Sequence, residues 1–250
     1  MRNRGFGTEK IEDDVKLLFP EATVARMDLD TTRTRAAYER IIADFEQGKT
    51  DILIGTQMVA KGLDFENVTL VGVITADTML NINDYRSGER TFAMLEQVSG
   101  RAGRGSKEGR AVIQTYTPEH EAVSLVKSHN YRTFYDKEIA KRKLMWYPPF
   151  CKIVSVHFQG NVENIVAKTA KYFLNTAEKT QNVSQKIQVL GPVPSYISKI
   201  KNKYRWQIIF KCEDDDNLGE ILSQAEMTCR KNKEFSDVAI IIDKSPGMIN

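Results

Sequence analysis

The chain is 250 residues long, 41% hydrophobic and 28% charged, with a formal charge of +3. That length suits two compact units, each able to bury a sizeable core. The composition excludes a wholly disordered chain, and the mild charge permits a nucleic-acid partner without arguing for one. No apolar run is long enough for a membrane-spanning helix. The N-terminal MRNRGFGTEK lacks the apolar stretch of a secretory signal. Cys151, Cys212 and Cys229 are far apart and form no Cys-x-x-Cys pair, so neither a zinc site nor a disulfide framework is expected. A cytoplasmic protein with free thiols and no membrane partner is the expectation.

The first third alternates helix-period and strand-like runs. Ile11 to Leu18 reads as a helix stopped before Pro20, and Thr23 to Met27 as a strand. Thr31 or Thr32 is placed to cap a helix reaching Gln47, ended by Gly48. Asp51 to Gly55 and Val68 to Ile74 read as buried strands, and Ala111 to Tyr116 as another. Asp84 is placed to cap a helix through Leu95 and beyond. Strands alternating with helices imply βαβ units, hence a parallel sheet covered on both faces.

Pro118 is expected to open one long polar helix, Glu119 to Leu144, with a basic end at Lys137, Lys141, Arg142 and Lys143. Tyr147-Pro148-Pro149-Phe150 forbids helix and central strand alike, which places a boundary near 148. Beyond it come a strand from Lys152 to Phe158, a helix from Asn161, a strand from Ile187 to Leu190 and an extended segment to Lys201. A strand from Tyr204 to Cys212, a helix capped by Asp216 or Asn217 and a strand from Val238 to Asp243 follow. The order β-α-β-β-α-β is that of a ferredoxin-like α+β unit with an antiparallel sheet. The domains expected are 1–117, a connecting segment 118–149, and 150–250.

Two stretches carry the chemistry. Gly55-Thr56-Gln57-Met58-Val59-Ala60-Lys61-Gly62-Leu63-Asp64-Phe65 follows a strand, and Gln97-Val98-Ser99-Gly100-Arg101-Ala102-Gly103-Arg104 ends a helix. Phosphoryl transfer needs charge stabilised on the γ-phosphate, and a guanidinium on a rigid helix end supplies it. Arg101 and Arg104 are three apart, so one helix face suits both, and Gly100 and Gly103 leave room for phosphate. Thr56 and Gln57 stand at a strand end, where a hydroxyl and amides hold a DNA phosphate, and Lys61 adds a cation. For Asp64 a turn or cap role competes. Gly48-Lys49-Thr50 mimics the end of a phosphate loop, but a helix precedes it and a strand follows, so it reads as a helix C-cap.

These stretches resemble motifs V and VI in the second RecA-like lobe of superfamily 2 helicases. The resemblance extends to Gly5-Phe6-Gly7-Thr8-Glu9, Arg26-Met27-Asp28-Leu29-Asp30-Thr31-Thr32, Ala76 to Asn81, Asp84-Tyr85-Arg86-Ser87-Gly88-Glu89-Arg90 and Tyr147-Pro148-Pro149-Phe150. With Leu190-Gly191-Pro192 and Tyr204-Arg205-Trp206-Gln207, the whole chain is similar to the PriA (primosomal protein N′) family of replication-restart helicases. The resemblance implies an α/β RecA-like second lobe followed by the α+β domain, in an ATP-dependent 3′-to-5′ DNA helicase. Arg104 then matches the arginine finger, with Arg101 and Gln97 beside it at the nucleotide cleft. Gly62 and Asp64 match residues coupling nucleotide state to the DNA track. ATP and Mg2+ are the family's cofactors. Its zinc module, first lobe, Walker A and DEAH-type motifs are not in this sequence, so the chain by itself is expected to be inactive.

The partners implied are forked and single-stranded DNA, other primosome proteins, and the acidic, hydrophobic tail of single-stranded DNA-binding protein. Lys199, Lys201, Lys203 and Arg205 alternate, which in extended chain sets them on one face beside Tyr204 and Trp206. Such a stripe suits single-stranded DNA or that tail, although lysines also guard sheet edges, and Trp206 fits a core as well as a platform. Lys203, Arg205 and Gln207 are the partner-site candidates. The competing readings are a scaffold without motor activity and an RNA helicase of the same superfamily. At the other end the family has an Asp-x-Asp-Pro-like segment where this chain has Asp243-Lys244-Ser245-Pro246-Gly247. His120, His129 and His157 are isolated and carry no catalytic role.

Overall fold

A computed structural model of the chain describes residues 7–56, 59, 65, 67–102, 109–180, 186–213, 215–244 and 246. The chain divides into two compact units, Met1–Leu80 with Glu89–His129, and Asn81–Gly88 with Asn130–Asn250.

The first unit contains α1 (Thr8–Leu18), β1 (Val24–Met27), α2 (Arg35–Glu46), β2 (Ile52–Gly55), β3 (Leu70–Val73) and most of α3 (Ser87–Ser99), then β4 (Arg110–Ile113). Single helical turns lie at Asp77–Leu80 and Glu121–Ser124. β1 pairs with β2 in parallel, from Val24 opposite Ile52 to Met27 opposite Gly55. β3 pairs with β4 in parallel, from Leu70 opposite Arg110 to Val73 opposite Ile113. The sequence pointed to one continuous sheet; the described residues form two two-stranded parallel ladders. Such short ladders are marginal in water without cover. α1 and α2 pack on the first, where Met27 and Ile54 are buried.

Two expectations are corrected. The cap of α2 is Thr34, whose hydroxyl accepts from the Ala37 amide at 3.2 Å; Thr31 and Thr32 turn back onto Asp28 instead. Asp84 lies in the turn that leads into α3, where its carboxylate accepts from the Arg86 amide and its carbonyl from the Ser87 amide, both at 2.9 Å. The helix expected over 119–144 is interrupted. A short 3-10 turn, Val126–Ser128, ends at His129 in the left-handed region, φ 49°, and α4 (Tyr131–Leu144) restarts with the Asn130 side chain accepting from Thr133 N at 3.0 Å. Asparagine and histidine tolerate that backbone and offer a cap, which a helical periodicity does not reveal.

The second unit adds β5 (Lys152–Gly160), α5 (Glu163–Thr180), β6 (Ile187–Ile200), β7 (Lys203–Cys212), α6 (Asp215–Lys231) and β8 (Ala239–Asp243). The sheet order is β6-β7-β5-β8 and every neighbouring pair is antiparallel. Alternation sends Val154, Val156, Phe158, Ile208, Phe210 and Cys212 to one face. There they meet Val166, Ala170 and Phe173 of α5 and Leu218, Leu222 and Ala225 of α6 in one buried core. Phe158 and Phe173 meet edge to face, centroids 5.4 Å apart; burying each contributes about 2–3 kcal/mol. Trp206 packs against this core, so it is not a free stacking platform.

The basic alternation is split. Lys201 and Asn202, φ 48° and 65°, form a two-residue hairpin turn of the kind that matches strand twist. Lys199 lies opposite Tyr204, with its ammonium 4.4 Å from that ring's centroid. Lys203 and Arg205 point to the other face of β7, away from the helices.

Candidate functional site

α3 carries the first candidate constellation. It buries Thr91, Phe92 and Leu95 and leaves Gln97 exposed on its last turn. The helix stops at Ser99, earlier than a face shared by Arg101 and Arg104 requires. The amides of Arg101 and Ala102 bond the carbonyls of Val98 and Ser99, at 3.2 and 3.4 Å, in a tightened final turn. Arg101 is half-buried, four residues from Gln97, and a cation there complements the negative end of the helix dipole. Among the described residues a Cβ on Gly100 would meet nothing but the Glu96 and Gln97 carbonyls, so its outer side is open. Arg104 lies outside the described residues, as do Gln57, Lys61, Gly62 and Asp64.

The paired ends of β1 and β2 bring a second group together. Asp28 directly follows the paired Met27, and Thr56 follows the paired Gly55. Asp28 accepts from the Thr8 hydroxyl at 2.5 Å and from the amides of Asp30 and Thr31, both at 3.0 Å. Arg26 stands 3.3 Å away. The Thr8 and Thr31 hydrogen bonds, with the nearby Arg26 charge, hold the Asp28 carboxyl at about 2. Thr56 is exposed at this edge. Ligands of open α/β sheets bind outside the carboxyl ends of strands, and the β1–β2 ends are such an edge. Both Gly5 to Glu9 and Arg26 to Thr32 carry the family resemblance in the sequence, but nothing in their spacing joins Thr8 to Asp28, twenty residues downstream.

In the second unit, Asp84-Tyr85-Arg86 docks against the Tyr147-Pro148 corner. Tyr85 and Tyr147 stack, centroids 4.9 Å apart and 8° from parallel. The guanidinium groups of Arg86 and Arg142 each lie 5.0 Å from the Tyr85 centroid. Lys211 lies 3.7 Å from the Tyr147 centroid and donates to the Met145 carbonyl at 3.1 Å. Burial lowers the Lys211 pKa. Asp84 holds Arg86 through two 3.0 Å bonds, and Arg86 also donates to the Pro246 carbonyl at 3.2 Å.

Of the partner candidates, Lys203 is exposed, Arg205 half-buried and Gln207 buried; Arg205 lies opposite Gln159, and Gln207 opposite His157. Zinc does not fit the residues present. The three cysteines are free and buried, and burial raises the Cys151 thiol and pushes Cys229 up to about 11, disfavouring the thiolate a metal needs. Among the described residues no cluster of three His, Cys, Asp or Glu could hold a metal.

Comparison with known proteins decides the family. The helicase conserved C-terminal domain matches residues 7–106, and the primosomal protein N C-terminal domain matches 143–246. The chain is 43% identical to the replication restart protein PriA of Bacillus subtilis over 98% of its own length. The chain belongs to the PriA family. It is also 43% identical over 83% of its length to PriA of Synechocystis, and 36% identical over 97% to PriA of Haemophilus influenzae. It spans 30%, 25% and 33% of these three PriA proteins. The α3 end and the β1–β2 edge both fall within the helicase domain, and the Tyr147 corner within the primosomal one.

Proposed function

We propose that the first unit is the second RecA-like lobe of an ATP-dependent 3′-to-5′ DNA helicase that restarts stalled replication forks. The observation that carries this reading is the α3 end, where exposed Gln97, open Gly100 and Arg101 lead into Gly103-Arg104 inside the helicase-domain match. Arg104 is the arginine finger on the γ-phosphate, Arg101 and Gln97 line the nucleotide cleft, and Gly62 and Asp64 relay nucleotide state. Thr56, Gln57 and Lys61 hold DNA phosphates. ATP and its Mg2+ would bring the reacting phosphates; the groups here orient and neutralise them. The two parallel ladders of four-residue strands, the first packed under α1 and α2, support the RecA-like assignment. The β-α-β-β-α-β order with sheet order β6-β7-β5-β8 supports a ferredoxin-like second domain.

In the complete protein, Arg104→Ala is expected to reduce DNA-stimulated ATPase by about a thousandfold or more while DNA binding survives. ATPase retained within a few-fold overturns the finger assignment. The isolated chain, without Walker A or DEAH-type motifs, is expected to show no ATPase; a clear rate refutes that.

A second reading, a binding module for the tail of single-stranded DNA-binding protein, is favoured by a groove in the second unit. Its volume is about 680 Å³, and Leu144, Met145, Trp146, Leu190, Lys186 and Lys211 line it. Aliphatic side chains with ammonium groups and no carboxylate suit an acidic, hydrophobic peptide. The Trp146 ring is covered by Lys186 at 4.6 Å and Tyr147 lies between Tyr85 and Lys211, so base stacking is less well served. Tail-peptide affinity is expected to fall in Lys186→Glu if the groove is used, or in Lys203→Glu with Arg205→Glu if the helix-free face is used.

A further inference from the structure

We propose that His157 is a proton-operated positioning residue for Gln207, tightening the hold of the helix-free face of the second unit on an acidic peptide as pH falls. It rests on the reading of Lys203, Arg205 and Gln207 as partner residues, and supplies the regulation of that face.

The register of the sheet brings the parts together. Alternation along β5 sends Val154, Val156 and Phe158 to the helices, so Ser155, His157 and Gln159 lie on the opposite face. His157 is paired with Gln207 of β7 on one side and with Ile241 of β8 on the other. Arg205 faces Gln159, one step along the same face, and Asp243 faces Ser155, one step the other way. The imidazole therefore has a cation and an anion on its two diagonals. Directly paired side chains start about 5 Å apart at Cβ, so the His157 ring and the Gln207 amide are within reach of each other.

The hydrogen bonds show what a proton changes. Nε2 of His157 lies 3.0 Å from the hydroxyl of Ser155, a buried residue. Nδ1 is buried and has no partner among the described residues. With the ring neutral, Ser155 serves Nε2 and Nδ1 is left over. Protonation makes donors of both nitrogens, and a buried N–H on a charged ring needs an acceptor. The amide oxygen of Gln207, itself buried, is on the paired residue. Turning that oxygen to Nδ1–H points the Gln207 amide nitrogen outward, where it donates to a carboxylate. The imidazolium also adds a third cation to Lys203 and Arg205 on this face.

Burial holds the His157 pKa below the ordinary 6.5, the Arg205 charge lowers it further, and Asp243 pulls it back up. Those two are the charged groups diagonal to the ring on β7 and β8; its own strand offers Ser155 and Gln159, neither of which ionises in this range. The ring is therefore neutral at pH 7.5 and takes its proton only below about pH 6.5. One more cation beside Arg205 is expected to strengthen binding of a polyanionic peptide about threefold to tenfold, less as salt rises.

The test uses the full chain and a fluorescent oligo-aspartate peptide with an apolar end, its asparagine counterpart serving as the uncharged control. The aspartates stay ionised between about pH 5.5 and about pH 7.5, so they add no titration of their own. The expected result is an affinity that rises about threefold to tenfold over that fall in pH, with the midpoint of the His157 imidazole seen by NMR. The rise is expected to vanish in His157→Gln and for the asparagine peptide, and to shrink in Gln207→Leu. Arg205→Gln is expected to move the midpoint upward, and this holds the switch to account even if His157→Gln fails to fold. A slope that persists in His157→Gln, or a midpoint unmoved in Arg205→Gln, overturns the switch. Lys203→Glu with Arg205→Glu separates the two readings. Unchanged affinity there defeats the partner face and the switch with it, whereas lost affinity there with a slope surviving His157→Gln defeats the switch alone.

Discussion

Asp28 shows what one residue contributes at the end of β1. Its carboxylate ties α1 to the loop before α2 through Thr8, Asp30 and Thr31. Because these bonds favour the ionised form, the folded pKa of about 2 lies below the ordinary 3.8. The linked stability is therefore fully present above about pH 4 and is lost as pH falls through about 2. Asp28→Asn is expected to melt the first unit at a lower temperature than wild type at pH 7, with the gap narrowing below about pH 4 and closing near pH 2. A gap that stays constant across that range would mean the charge contributes nothing. The sequence displayed the residues of this network but not their bonding. Thr31, Thr32 and Thr34 are equivalent as cap candidates, and a threonine hydroxyl takes whichever backbone group the turn leaves open. Arg101 was legible as the end of a helix, but not the stop at Ser99, since Gly100 permits either continuation or a tightened turn.

Elements with strong periodicity were readable, and those defined by a turn were less so. Strands β5 and β7 alternate over their length, and α5 follows its apolar spacing, so their existence follows from sequence. The stripe from Lys199 to Arg205 alternates too, yet a two-residue turn sits inside it, because alternation continues unchanged through Lys201-Asn202. Only Asn202 hinted at positive φ. β6 poses a related demand. Gly191 has φ 103°, and a Cβ there would stand 2.7 Å from the Gln207 carbonyl oxygen. Gly48 also has positive φ, 70°, but a Cβ there would meet nothing within 4 Å among the described residues. Both alanine variants therefore incur backbone strain, and Gly191→Ala adds a collision with main chain. Gly191→Ala is expected to cost about 2–3 kcal/mol and Gly48→Ala about 1 kcal/mol, read as shifts of the urea midpoint. Equal shifts would show that the close approach of β6 and β7 relaxes freely.

At the scale of the whole chain, the two units differ in how much apolar surface they bury. The second has one continuous core of strands β5, β7 and β8 with α5 and α6, centred on Phe158, Phe173, Ile208 and Leu222, all fully buried. The first, among its described residues, buries the smaller set Met27, Ile54, Ala76, Phe92, Leu95, Ala122, Val123 and Val126, and leaves Leu17, Leu18 and Leu70 exposed, at 80%, 73% and 62%. Burial scales with stability at roughly 25 cal/mol per Å² of apolar surface, so the second unit should outlast the first on heating. Both tryptophans, Trp146 and Trp206, belong to the second unit. Tryptophan emission therefore reports that unit alone, while far-ultraviolet circular dichroism reports both. Heating the isolated chain is expected to produce an early dichroism transition with unchanged emission, followed by a later one in which emission shifts. Phe173→Ala, which opens a cavity in the second core at a cost of about 3–5 kcal/mol, is expected to lower the later transition and leave the earlier one in place. One coincident transition by both probes, lowered as a whole by Phe173→Ala, would mean that the units unfold cooperatively and overturn the two-step expectation.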